Sequence, residues 1–234
     1  MTERVFTPAT GRFAPTWLYD PVAALLRERL WRGLLAMHIA PRPGDDIVDV
    51  GCGTGSLALL LHRVEPEARI VGVDPDPGVL AIGRRKAARA AGIAARQTSG
   101  PDARAGAGTG PRWQAGMGDE VDEILGAEAV DTAVSSLVLH QCPVEMKRAV
   151  LASMHKVLRP GGKLVIADYG LQRTRRMRLA FRVVQLADGT EDTQPNADGI
   201  LPRLISDAGF TGVREAEVIS TLTGSLSVYV ARRA

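Results

Sequence analysis

The run Asp46-Ile47-Val48-Asp49-Val50-Gly51-Cys52-Gly53-Thr54-Gly55 constrains the fold of this chain more than any other stretch. A branched-apolar segment ending in glycines at alternate positions predicts a buried parallel strand that stops at a tight turn. Ser56-Leu57-Ala58-Leu59-Leu60-Leu61 then opens the following helix. Glycines in such a turn let a ligand lie against bare backbone, and the free N–H groups of the helix N-terminus point at it. Asp49 narrows the choice of ligand. A dinucleotide fingerprint spaces its glycines G-x-G-x-x-G to receive a pyrophosphate; here the third glycine, Gly55, comes one position early and Ser56 stands in its place. A carboxylate two residues before Gly51 repels a phosphate and attracts an ammonium or sulfonium.

A second acid stands where a nucleoside needs one. Arg69-Ile70-Val71-Gly72-Val73-Asp74 reads as the next strand, and Asp74 follows the glycine loop by about the 20 residues expected of a carboxylate that accepts both ribose hydroxyls. A ligand with a ribose, no phosphate and a cationic amino-acid tail suits both acids, and S-adenosylmethionine is such a ligand. Two more segments fall in order: Val130-Asp131-Thr132-Ala133-Val134-Ser135-Ser136-Leu137-Val138-Leu139-His140, and Leu158-Arg159-Pro160-Gly161-Gly162-Lys163-Leu164-Val165-Ile166-Ala167-Asp168. With these motifs the chain resembles the class I S-adenosylmethionine-dependent methyltransferases, from about Arg42 to the C-terminus.

That resemblance implies an α/β, Rossmann-like fold: a mostly parallel seven-stranded sheet, helices on both faces and an antiparallel C-terminal strand. It implies S-adenosyl-L-methionine as cofactor, with Asp49, Gly51, Cys52, Gly53 and Gly55 holding the methionine moiety, Asp74 and the following Pro75 the ribose, and Ser135 the floor near the sulfonium. An N-terminal helical cap, residues 1–44, would precede a methyltransferase domain over residues 45–234. In the family a Gly-Asp pair commonly follows the third strand and receives the adenine amino group. Here Gly116-Met117-Gly118 puts Met117 in the acid's place. Either Asp119 reaches in, or Met117 packs on the adenine face while backbone near Gly118 binds its edge.

The segment from Ser135 to His140 lacks the Asn/Asp-Pro-Pro-aromatic turn of methyltransferases acting on planar amino groups. It is similar instead to the ubiquinone/menaquinone C-methyltransferase-like group, which implies a small-molecule acceptor: quinone-, lipid- or secondary-metabolite-like. The expected reaction is in-line methyl transfer, whose main demand on the protein is to place a nucleophile and exclude water. A base is needed only if the acceptor keeps its proton until attack. His140 is the candidate, against a role bracing its loop, and Tyr19 is the fallback. Two other readings stay open: an RNA or protein methyltransferase, and a binding module without turnover.

Composition bounds the rest. A chain of 234 residues with 45% hydrophobic content can bury one sizeable core. No apolar run is long enough to span a membrane, and the first residues lack the apolar segment of a signal peptide. Cys52 and Cys142 suggest neither a disulfide framework nor a metal site, so the expectation is a cytoplasmic protein without a metal. The net charge of +3 comes from arginines scattered along the chain, so no nucleic acid is expected. Monomer and homodimer stay open.

Three further segments carry expectations. A helix beginning at Asp20-Pro21 should present Leu26, Leu30, Trp31 and Leu34 on one side, with Trp17 and Tyr19 near a lid. Residues 97–111 contain no apolar side chain larger than Ala and read as a flexible surface insert. Residues 170–198 read as a substrate cover: Leu171 to Arg182 holds five arginines and no acid, and acids follow from Asp188.

Overall fold

The computed structural model describes residues 28–97 and 110–234. Helix α1 (Glu28–Ile39) leads into β1 (Asp46–Val50), and helices and strands then alternate: α2 (Ser56–Val64), β2 (Arg69–Asp74), α3 (Pro77–Gln97), β3 (Arg112–Ala115), α4 (Val121–Leu125), β4 (Val130–Ser136), α5 (Val144–Val157) and β5 (Leu158–Tyr169). Helices α6 (Arg175–Asp188), α7 (Thr190–Ala197) and α8 (Leu201–Asp207) precede the closing strands β6 (Phe210–Thr221) and β7 (Gly224–Arg233).

The seven strands form one sheet in the order β3-β2-β1-β4-β5-β7-β6. Pairings from β3 through β5 are parallel, and β7 runs antiparallel to both β5 and β6. This is the α/β sheet that the resemblance implied. The chain winds outward from β1 through β2 to β3, then crosses back to β4. The switch between β1 and β4 opens a crevice at their carboxyl ends, where doubly wound folds bind ligands.

Alternation along β1 splits the core in two. Val48 and Val50 join α5 and α8 residues such as Val150, Met154 and Leu204 on one face of the sheet. Ile47 faces the other way, onto Leu35 and Ile39 of α1, Leu61 of α2 and Phe181 of α6. Strands buried on both faces explain the near-continuous apolar runs of β1 and β2. The helical spacing of Val150, Met154 and Val157 places all three in the core, with Met146 packed against it.

Some features differ from expectation. Helix α3 runs to Gln97, into the first residue of the expected insert. In α1 the inward stripe is Trp31, Leu35 and Ile39, whereas Leu30 is 47% exposed. The indole selects the face because it brings the largest apolar area, and residues four apart follow it inward. Lys163 of β5 donates to the carbonyls of His38 and Ile39 and so closes the α1 C-terminus. In β5 the register against β4 jumps from Val130↔Leu158 to Thr132↔Lys163, so Arg159 to Gly162 bulge outward. Arg159 from that bulge grips Asp46 at 2.8 Å and Asp131 at 2.7 Å, tying three strand ends together. No helix of the described residues is long and apolar enough to cross a membrane.

Candidate functional site

The loop after β1 is built for close approach. Gly51, Gly53 and Gly55 have φ of 71°, 53° and 72°, the left-handed region where glycine is favoured. A Cβ on Gly51 would stand 2.3 Å from Val138 Cγ2, and one on Gly55 would stand 2.0 Å from Trp113 Cη2. The loop is stitched to β2: the N–H groups of Gly51 and Cys52 donate to the Val73 carbonyl, and that of Gly53 donates to Asp74 Oδ2 at 2.8 Å. Cys52 is buried within this loop, and burial holds its thiol far above the usual range, away from the reactive thiolate.

Asp49 and Asp74 flank the loop. Asp49 is wholly buried, and neither of its carboxylate oxygens has a hydrogen-bond partner. Burial pushes its pKa up to about 7; Arg32 of α1 opposes that rise and the Asp74 charge adds to it. A buried unpaired carboxylate is costly. It fits a cationic group brought by a ligand. Asp74 is buried too, chiefly for which reason its pKa is raised; its Oδ1 accepts from Asp76 N–H at 2.9 Å and its Oδ2 from Gly53 N–H. One bond per oxygen leaves a lone pair on each for two hydroxyls. Pro75 makes the half-buried bend that follows.

The strand ends beside them complete the crevice. Gly116 N–H donates to the Asp74 carbonyl at 3.2 Å. Met117 opens a short 3-10 turn, Gly118–Glu120, and the turn carries Asp119 half-buried beside Met117. A Cβ on Gly118 would come within 3.1 Å of Val50 and 3.3 Å of Val150, so this glycine lets the turn sit on the core. Ser135 Oγ donates to the Val50 carbonyl at 2.9 Å, bridging β1 and β4 at the switch point. Its proton is committed there, while its oxygen can still accept.

His140 sits in a network that the sequence did not disclose. After β4 the chain turns through Leu137, whose φ of 56° is a strained position for a branched side chain. Asp168, at the end of β5, holds the next turn: its Oδ2 accepts the N–H groups of Val138, Leu139 and His140 at 3.1, 2.7 and 3.3 Å. Its Oδ1 stands 2.8 Å from His140 Nδ1, and Asp188 Oδ2 stands 3.4 Å from Nε2. Burial alone would lower the imidazole pKa, but the charge and hydrogen bond of Asp168, joined by Asp188, lift it to about 9. At neutral pH the ring therefore carries both protons. Tyr169 packs edge-on against it, with ring centroids 5.0 Å apart.

The same loop is tied to the segment after β5. Lys147 of α5 is fully buried and donates to the carbonyls of Cys142 at 2.5 Å and Asp192 at 2.8 Å. Asp188 and Asp192 lie at the α6–α7 junction, so the segment after β5 is tied to His140 and to α5 at these two points. Arg173 pairs with Glu215 of β6, and Arg178 donates to the Gln172 carbonyl. Asp168 and Asp188 were not singled out from sequence; the only signal was an acid closing a buried strand and another closing a basic helix.

Tyr19, Trp17 and the start of the first helix lie outside the described residues, as do residues 98–109 of the insert. Among the described residues no group of three or more His, Cys, Asp or Glu side chains could hold a metal ion. The structure therefore gathers Asp49, Gly51, Cys52, Gly53, Gly55, Asp74, Pro75, Met117, Gly118, Ser135 and His140 along the carboxyl ends of β1 to β4 and the loops that follow them.

Comparison with known proteins agrees with this geometry. A methyltransferase-domain family model matches residues 48–164. The chain is 30% identical over 71% of its length to a malonyl-[acyl-carrier protein] O-methyltransferase of Methylococcus capsulatus, covering 52% of that protein. It is 26% identical over 71% of its length to a ubiquinone/menaquinone biosynthesis C-methyltransferase of Rubrivivax gelatinosus, covering 55% of it. The chain thus spans about half the length of these curated relatives. Among solved structures, magnesium protoporphyrin IX methyltransferase from Synechocystis with bound S-adenosylhomocysteine superposes with a TM-score of 0.64 at 18% identity, covering 96% of this chain and 90% of that one. That last likeness is one of fold.

Proposed function

Since the chain belongs to the methyltransferase-domain family, we propose that it binds S-adenosylmethionine and transfers its methyl group to a small, lipophilic acceptor. The observation that carries the cofactor assignment is Asp49, a wholly buried carboxylate without a hydrogen-bond partner, next to a glycine loop whose Gly51 and Gly55 leave no room for a side chain. When bound, S-adenosylmethionine supplies a methyl group already activated by its sulfonium. Asp49 would balance the cationic end of the ligand, the loop from Gly51 to Gly55 would lie along the methionine moiety, and Asp74 would accept the ribose hydroxyls. Met117 and Gly118, with Asp119 beside them, line the place left for adenine. The quinone and acyl-carrier relatives support a small-molecule acceptor, and α6–α7 are well placed to cover it.

His140 takes the bracing role in this reading. An imidazolium clasped between Asp168 and Asp188 has no free lone pair with which to take a proton. Its work is to hold the loop after β4 beneath the cover. The acceptor then arrives ionised or loses its proton to another group, with Tyr19 still a candidate. A cytoplasmic location suits the two free cysteines.

Titration calorimetry tests the assignment. S-adenosylmethionine or its demethylated product should bind, and Asp74→Ala should weaken binding by about 1.5–3 kcal/mol through the lost charge-assisted hydrogen bonds. Preference for NAD, or an unchanged affinity in Asp74→Ala, would refute it.

A further inference from the structure

Helix α6 buries one face and leaves an unusual other. Phe181 and Val184 pack inward, against Tyr169 and the sheet. On the opposite side Leu179, Val183 and Leu186 are 68%, 60% and 87% exposed. With each residue advancing about 100° around the helix, these three project within about 60° of one another, directly away from the core. Arg175 and Arg182 border the stripe on one edge and Arg176 on the other. All three are exposed, and none has an ion pair among the described residues. The whole helix carries no acid before Asp188, and that carboxylate is occupied by His140.

A solvated helix face would carry polar residues here, and a face for a protein partner would need that partner to be acidic. Two copies meeting through this surface would bring two arginine-bordered stripes of like charge together. An apolar stripe with a cationic border matches the layered chemistry of a lipid interface: acyl chains beneath, anionic headgroups around. We propose that the outward face of α6 is a docking surface for anionic lipid membranes. Leu179, Val183 and Leu186 would enter the acyl boundary while the arginines contact phosphates. The end of this helix at Asp188 lies against His140, so docking would set the cover of the candidate site beside the bilayer, where a lipophilic acceptor resides.

Flotation of the full chain with vesicles tests this. Vesicles containing phosphatidylglycerol in phosphatidylcholine should bind it at least about 10-fold more tightly than phosphatidylcholine alone, and added salt should erase the difference. Leu179→Asp combined with Leu186→Asp should reduce binding by about 10-fold or more. Arg175→Gln, Arg176→Gln and Arg182→Gln together should abolish the preference for anionic lipid. Melting curves and S-adenosylmethionine titrations of these variants should match the parent, because the replaced side chains are exposed; a failure of the cofactor assignment would thus be seen separately. Absence of wild-type binding to anionic vesicles would overturn the proposal, as would equal binding by the aspartate variants. So would a dimer, seen by sedimentation, that Leu179→Asp with Leu186→Asp dissociates while vesicle binding is absent.

Discussion

Replacing His140 by Gln removes the charge held between Asp168 and Asp188. The folded pKa of the imidazole is about 9, above the ordinary histidine value of about 6.5. The stabilisation is therefore complete below about pH 6.5 and disappears as the pH rises through about 9. That rise corresponds to roughly 3 kcal/mol in full, most of which remains at pH 7 and almost none at pH 10. Urea unfolding of the parent and of His140→Gln at both pH values isolates this group, since other titrations are shared by the two chains. The parent should exceed the variant by at least about 2 kcal/mol more at pH 7 than at pH 10. A gap between the two proteins that does not change with pH would refute the imidazolium. Activity separates roles further: a brace predicts that Gln, which can still donate one hydrogen bond, retains much of the turnover, whereas a base predicts a loss of about 100-fold.

Other substitutions probe the cofactor crevice. Asp49 is raised to about 7, so its ionised form opposes folding above the ordinary carboxylate range, and most of all once the pH exceeds about 7. Asp49→Asn should thus stabilise the ligand-free protein at pH 8 by about 1–3 kcal/mol while weakening S-adenosylmethionine by about 10-fold or more; thermal melts and calorimetry would show a destabilised apo variant if the reading is wrong. Gly51→Ala should cost about 2–4 kcal/mol, because left-handed backbone strain adds to a clash with Val138. Pairing it with Val138→Ala should recover only the clash, and complete recovery would show that the backbone at Gly51 is unstrained.

How much of this was legible in the sequence follows from how local each cause is. The glycine spacing around Asp49, the strand ending in Asp74 and the apolar strands separated by helical repeats depend on residues near one another in the chain. They point to a strand, glycine turn and helix followed by a second strand that ends in an acid; the seven-stranded sheet and its antiparallel C-terminal strand followed from the family resemblance these motifs carry. The inward face of α1 was misjudged at Leu30 because four apolar residues offered two faces, and only packing of Trp31 against the sheet chose between them. Trp113 of β3 occupies the space beside Gly55, Gly72 and Gly83, which arrive from three separate elements, and no local pattern announces that meeting.

The chemistry of His140 lies at the far end of this scale. Its neighbours in sequence admit a base or a brace equally, since an imidazole near pH 7 can serve either. The carboxylates that decide between them come from Asp168, 28 residues away at the end of β5, and from Asp188 at the end of α6. Local sequence pointed to a cationic nucleoside ligand at Asp49 and Asp74, because turn geometry and charge sign act over a few residues. Only the tertiary structure decided the protonation of His140, because that depends on burial and on charges whose chain separation carries no information about their distance in space.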